Sequence, residues 1–235
     1  MITKFTLLSV GLLFSLSVMG DVKLGAYEIP TLLEKNGSGT YDKIFSEVRQ
    51  AAGKNWRYKV LPPSRADKDF ADKRLDCIIP LDADFYQGDK VIQSDFVNVA
   101  RVYIFTERGS KPINSLAALK GKKIGARRGM PYGPEFDKLA LNVSYSNNIE
   151  QSIKKVNAGR LDAFIAYVPD AWFAFQALNM EMLPHGKAVI THEDGFLCHD
   201  TPEAKAFIES FNAALVKLRS SGRLMDLLGD SWVEP

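Results

Sequence analysis

The chain has 235 residues, 46% of them hydrophobic and 25% charged, a balance that suits a folded globular protein rather than a disordered one. Lys and Arg number 30 against 28 Asp and Glu, so the net charge of +2 creates no strong field toward nucleic acid or a membrane surface. The length suits one large domain or two small lobes, and the two cysteines, Cys77 and Cys198, allow at most one disulfide.

Residues 1–20 read as a secretory signal. Lys4 supplies the positive start, Phe5 to Met19 is apolar, and Val18 and Gly20 fit small-residue cleavage before Asp21. The run is short for a membrane span. Export to the periplasm, with cleavage near Gly20, is the expectation.

From Asp21 onward the pattern is strand, loop, helix, repeated. Val22 to Tyr27 alternates as a strand and ends at Glu28-Ile29-Pro30. A helix follows with Tyr41, Ile44, Phe45, Val48 and Ala52 on one face, and Gly53 stops it. Trp56 to Val60 is a second strand. Pro62-Pro63 closes it, and Ser64 is placed to cap the next helix. Asp76 to Pro80 is a third strand, apolar enough to be buried on both faces. Leu81 to Phe96 reads as loop, and Val97 to Thr106 as strand.

Leu116 to Pro134 is the most informative stretch. It combines a helical turn stopped at Gly121, a short strand Lys123 to Ala126, the turn Arg127-Arg128-Gly129 and a helix opening at Pro134. A strand running into a glycine turn and a helix start offers free N–H groups to an anion, and two arginines stand beside it. The alternative is an ordinary strand-to-helix connection with solvated arginines.

The alternation then resumes. A weak strand at Asn142 to Tyr145 precedes Asn147-Asn148 as caps, and Ile149, Ile153 and Val156 form a helical stripe ended by Gly159. Leu161 to Tyr167 is a strand and Pro169 opens a helix. Thr201-Pro202-Glu203 is a strong helix start for the face of Phe207, Ile208, Phe211, Ala214, Leu215 and Leu218. A last short helix carries Leu224, Leu227 and Leu228, with Trp232 beyond. Alternating strands and helices imply an α/β protein with parallel sheets flanked by helices. Ligands of such sheets sit beyond the strands' carboxyl ends, which singles out Tyr27, Glu28, Ser64, Arg65, Asp82, Asp84, Arg127 to Met130 and Tyr167 to Asp170.

Taken together, Leu116 to Gly125 before a glycine turn, Ala158-Gly159-Arg160-Leu161-Asp162-Ala163, and the helix containing Phe211 to Leu215 with Gly222 resemble the extracytoplasmic solute-binding proteins of amino-acid-type ABC importers. The resemblance implies a type II periplasmic-binding fold: two α/β lobes joined by two crossing strands. Lobe one would hold residues 21–100 and 195–235, and lobe two residues 101–194. It also implies a small-molecule ligand trapped by hinge closure, an importer permease as a possible partner, and a monomer. In that topology Cys77 and Cys198 fall on neighbouring strands of lobe one, close enough to bridge, although two separate buried thiols are the alternative.

Two departures bear on the ligand. The loop after the third strand, Leu81 to Asp89, lacks the arginine that grips an α-carboxylate in this family, and Tyr167 stands where an aspartate meets the α-amino group. A standard α-amino acid is therefore not expected. Arg65, Arg127 and Arg128 remain as anion contacts, with Arg128 foremost beside Gly129. Glu28, Asp82 and Asp84 are candidate cation contacts, and Tyr27, Phe85, Tyr86, Tyr132 and Tyr167 candidate stacking faces.

His185, His192 and His199 have no metal-ligand spacing, so neither metal nor cofactor is expected. No nucleophile elbow or phosphate loop is present. The competing readings on the same fold are a periplasmic lyase or dehydratase, which needs a cleft carboxyl of raised pKa, and a ligand sensor without a transport role.

Overall fold

The computed structural model describes residues 21–229. The expected signal segment and Trp232 lie outside the described residues. The alternation folds into two five-stranded sheets built on one plan. The first contains β1 (Leu24–Tyr27), β2 (Tyr58–Leu61), β3 (Cys77–Ile79), β4 (Val91–Gln93) and β10 (Leu197–His199), in the order β2-β1-β3-β10-β4. The second contains β5 (Asn98–Thr106), β6 (Ile124–Arg127), β7 (Val143–Ser146), β8 (Ala163–Tyr167) and β9 (Ile190–Asp194), in the order β7-β6-β8-β5-β9.

In each sheet a single strand is reversed. β1 pairs parallel with β2 and β3, whereas β10 is antiparallel to β3 and β4. β6 pairs parallel with β7 and β8, whereas β5 is antiparallel to β8 and β9. The sheets are therefore mainly parallel, and the parallel steps are bridged by helices as crossover geometry requires. The helices are α1 (Thr40–Ala51), α2 (Pro63–Ala71), α3 (Pro134–Asp137), α4 (Ile149–Asn157), α5 (Val168–Ala177), α6 (Pro202–Ser220) and α7 (Arg223–Leu228). α1, α2, α6 and α7 belong to the first lobe, and α4 and α5 pack on the second sheet.

The helix faces follow the 3.6-residue period. α1 buries Tyr41, Ile44, Phe45 and Val48, and α6 buries Phe207, Phe211, Ala214, Leu215 and Leu218. Asn148 accepts a hydrogen bond from the Gln151 N–H at 3.2 Å and Thr201 from the Ala204 N–H at 3.2 Å, so both expected caps form. Ser64 does not cap: α2 begins two residues earlier than a Ser64 cap would place it, with Pro62 at the cap position. The stretch from Leu81 to Phe96 is also more ordered than its Asp-rich composition suggests, because Ala83–Phe85 makes a 3-10 turn and Val91–Gln93 is β4.

The chain passes between the sheets twice, and the two passages lie side by side. Val97 donates to the Asp194 carbonyl at 2.7 Å, and Ser94 to the Phe196 carbonyl at 2.9 Å. Cys77 and Cys198 face each other across β3 and β10 and are bonded, with an S–S distance of 2.04 Å. Their register explains the pairing. His199 donates to the Asp76 carbonyl at 2.9 Å, so the neighbouring Cys77–Cys198 pair is a non-hydrogen-bonded one, where antiparallel Cα atoms approach most closely. The bridge ties the returning strand to the centre of the first sheet.

Candidate functional site

Where the strand ends of the two sheets face each other lies a partly enclosed cavity of about 160 Å³. Tyr27, Ile29, Tyr41 and Pro80 line it from the first lobe. Met130, Pro131, Tyr167 and Pro169 line it from the second, and Asn98, Arg101, Tyr103, His192 and Asp194 from β5 and β9. The wall is mostly apolar and aromatic, with a few polar groups that converge.

Tyr41 reaches this wall because it sits in the first turn of α1, whose start is held by Asp42. The Asp42 Oδ2 atom accepts from the Gly39 and Glu34 N–H groups, each at 2.9 Å, and Oδ1 accepts from the Tyr58 hydroxyl. The Tyr41 hydroxyl then donates to Asp194 Oδ2 at 2.6 Å. On the other side the Tyr167 hydroxyl donates to the Pro131 carbonyl at 2.6 Å and meets His192 Nε2 at 2.9 Å. His192 Nδ1 lies 3.7 Å from Asp194 Oδ1. Burial pushes the Asp194 carboxyl up, against the pull of His192 and Tyr41. Burial likewise raises the Tyr41 and Tyr167 hydroxyls.

The Tyr27 hydroxyl donates to Asp67 Oδ1. Burial raises Asp67 to about 6, although the bond from Tyr27 pulls the other way. With the folded value above that of a free carboxyl, the folded state holds this proton more tightly. The stabilisation is complete below about 4 and is lost as pH rises through about 6. A carbon-13 titration of the Asp67 carboxyl should show a midpoint near that value, and Asp67→Asn should remove this part of the pH dependence of stability. A midpoint in the ordinary carboxylate range would contradict the assignment.

The residues singled out from sequence do not converge on one place. Tyr27 and Tyr167 line the cavity. Tyr132 stands behind it: its ring stacks 5.9 Å from Tyr167, and its hydroxyl accepts from the Arg127 N–H at 3.1 Å and donates to the Ile165 carbonyl at 3.3 Å. Arg127 is buried and committed, with Nη1 contacting both Asp170 carboxylate oxygens at 2.8 and 3.0 Å and Nη2 donating across the lobes to the Glu28 carbonyl at 2.8 Å.

Arg128 is exposed. With Glu28, Ser64, Arg127 and Asn147 it borders a separate hollow of about 220 Å³ and does not share the cavity of Tyr167. The Glu28 carboxylate pairs with Lys35 at 2.9 Å. Arg65 lies along α2 and pairs with Asp69 at 2.9 Å, and lines neither cavity. Asp82 joins the lobes by accepting from the Glu193 N–H at 3.1 Å, while Asp84 is exposed. Phe85 lies 4.6 Å from the His192 ring, centre to centre. Among the described residues no group of three His, Cys, Asp or Glu side chains could hold a metal ion, and no helix is long and apolar enough to cross a membrane.

Gly129 marks where the second lobe touches the first. Its φ is +75°, and a Cβ there would stand 2.2 Å from Ser64 Oγ and 2.5 Å from the Ser64 backbone nitrogen. A backbone neighbour cannot swing aside, so Gly129→Ala should hold the lobes apart and weaken ligand capture, besides straining a left-handed turn by about 1–2 kcal/mol. Small-angle scattering should show a larger radius of gyration than wild type, and an unchanged one would contradict this. Gly133→Ala should part the lobes less, because the nearest atoms to its Cβ would belong to the Phe85 side chain, at 2.7 Å, and not to backbone.

The cavity group that sequence reasoning passed over is Tyr41, His192 and Asp194. Tyr41 is legible only as one apolar position on α1, and His192 only as a residue without metal spacing. The available signal was the alternation in Ile190–Asp194, where His192 and Asp194 are buried between exposed Thr191 and Glu193.

No family model and no curated sequence matches the chain. Solved structures do, over almost its whole length. The arginine-, lysine-, histidine-binding protein ArtJ from Geobacillus stearothermophilus is 21% identical, with a TM-score of 0.70, covering 92% of this chain and 97% of its own. The GluR0 ligand-binding core from Nostoc punctiforme, solved with L-glutamate, is 18% identical with a TM-score of 0.71, covering 91% of this chain and 100% of its own. A histidine kinase sensor domain with similarity to periplasmic binding proteins is 15% identical with a TM-score of 0.72, covering 92% and 99%. At these identities the likeness establishes the fold, a two-lobed type II periplasmic-binding architecture.

Proposed function

We propose that this protein is an exported solute-binding protein that captures a small polar or charged metabolite between its two lobes without chemically altering it. One observation carries the reading: a partly enclosed, aromatic-walled cavity lies between the sheets, and its walls come from both lobes and from the two strands that join them. Opening the joint admits a solute, and closing it buries the solute from both sides. The solved neighbours of this fold include amino-acid-binding proteins, which supports capture of a small solute.

In this reading lobe one is 21–100 with 195–235 and lobe two is 101–194, a division close to the crossovers, since β5 joins the second sheet at Asn98. Delivery to an ABC-importer permease, a periplasmic location and a monomeric state belong to the same proposal. So does a ligand other than a standard α-amino acid: the loop after β3 has no arginine, and Arg127 is occupied by Asp170. The sensor-domain neighbour favours ligand sensing as the second reading.

The test is a thermal-shift screen over amines, amino acids, organic acids, sugars and nucleosides. A compound that binds the closed form should raise the melting temperature with the logarithm of its concentration and be recovered unchanged. A screen in which nothing raises it would remove the proposal, and turnover of a bound compound would replace it with the lyase reading.

A further inference from the structure

We infer that the cleft recognises a protonated amine, bridged by Asp194 and His192. The inference rests on the same cleft being a solute site. Hydrogen-bond direction carries it. The Pro131 carbonyl can only accept, so the Tyr167 hydroxyl hydrogen is committed there at 2.6 Å. The Tyr167 oxygen is then left to accept from His192 Nε2 at 2.9 Å, which puts the hydrogen of a neutral imidazole on Nε2 and leaves Nδ1 as a bare lone pair.

Asp194 Oδ2 already accepts from the Tyr41 hydroxyl at 2.6 Å, while Oδ1 accepts no hydrogen bond among the described residues. With the ring neutral, His192 Nδ1 and Asp194 Oδ1 are two buried acceptors, 3.7 Å apart, without a hydrogen-bonded donor among the described residues. Buried acceptors left unpaired are costly, and both residues line the cavity.

The missing partner is defined by what these two atoms lack. A carboxylate or phosphate would bring a third acceptor, and an alcohol brings one hydrogen for two acceptors. An ammonium group brings three donors and the positive charge that Asp194 calls for. Tyr27, Tyr41, Tyr103 and Tyr167 line the same wall, and aromatic surroundings suit a cation. Arg101 is the other charged side chain lining the cavity, so amines with and without a carboxylate have to be compared.

Calorimetry at pH 7.5 with three matched pairs tests this: ethanolamine against ethylene glycol, putrescine against 1,4-butanediol, and glycine against glycolate. At least one amine should bind tenfold or more tightly than its hydroxyl counterpart. Asp194→Asn, which keeps an acceptor for Tyr41, should lose at least tenfold in that affinity while still melting cooperatively, and His192→Gln should lose less. Equal or better binding of the hydroxyl compounds, or unchanged affinity in Asp194→Asn, overturns the amine inference and leaves solute capture standing. Nitrogen-15 spectra with His192 protonated on both ring nitrogens in the ligand-free protein overturn it as well, because the ring would then supply the donor itself. Silence from all six compounds overturns it too, and silence from the broader screen removes the solute-binding reading with it.

Discussion

Asp170→Ala is expected to destabilise the fold by about 3–5 kcal/mol, the cost of leaving one partner of a buried ion pair without the other. Asp170 is 4% exposed and Arg127 9%. Asp170 occupies the first turn of α5, where its charge also favours the helix dipole. Burial raises its carboxyl, and Arg127 opposes that rise. Without Asp170 the guanidinium keeps its Nη2 hydrogen bond to the Glu28 carbonyl and loses both Nη1 contacts. Urea denaturation should show a lower midpoint with an unchanged slope. The paired replacement Arg127→Met with Asp170→Leu should recover much of the loss, since removing both charges leaves none buried alone. A loss below about 1 kcal/mol in the single variant would mean that water reaches the pair.

Removing the Cys77–Cys198 bond is the other large effect. The bond spans 121 positions of chain, and both residues are fully buried. Cross-links that close long loops restrict the unfolded chain most, and a loss of about 2–4 kcal/mol is expected for the Cys77→Ala, Cys198→Ala double variant. The native protein should resist mild reductant, because the sulfurs are out of reach of solvent. A buried bond of this kind persists in oxidising compartments, which agrees with the proposed export. Two titratable thiols in the unfolded, unreduced chain would contradict the bond.

These features differ in how far the sequence exposes them. The helices and most central strands are legible because their burial follows one period: Ile149, Ile153 and Val156 on α4, or the wholly buried run of β8. β4 is not legible, since its three residues are each half-buried and stand in an Asp-rich stretch. Arg127 and Arg128 look equivalent in sequence, yet Arg127 ends the wholly buried β6 and pairs with Asp170, while Arg128 stands in the turn beyond it and is exposed. The Asp194 site is hidden for a different reason. Tyr41 and Asp194 are 153 residues apart, and only the second crossover brings them to 2.6 Å. A polar side chain buried at long range leaves no local pattern to read.

The most direct test of two lobes closing on a small solute is a crystal structure with whichever screened compound raises the melting temperature most. That compound should lie between Tyr27 and Tyr167, its nitrogen within hydrogen-bond reach of Asp194 Oδ1. The same compound seated instead in the hollow beside Arg128, with the cavity at Asp194 unfilled, would contradict it.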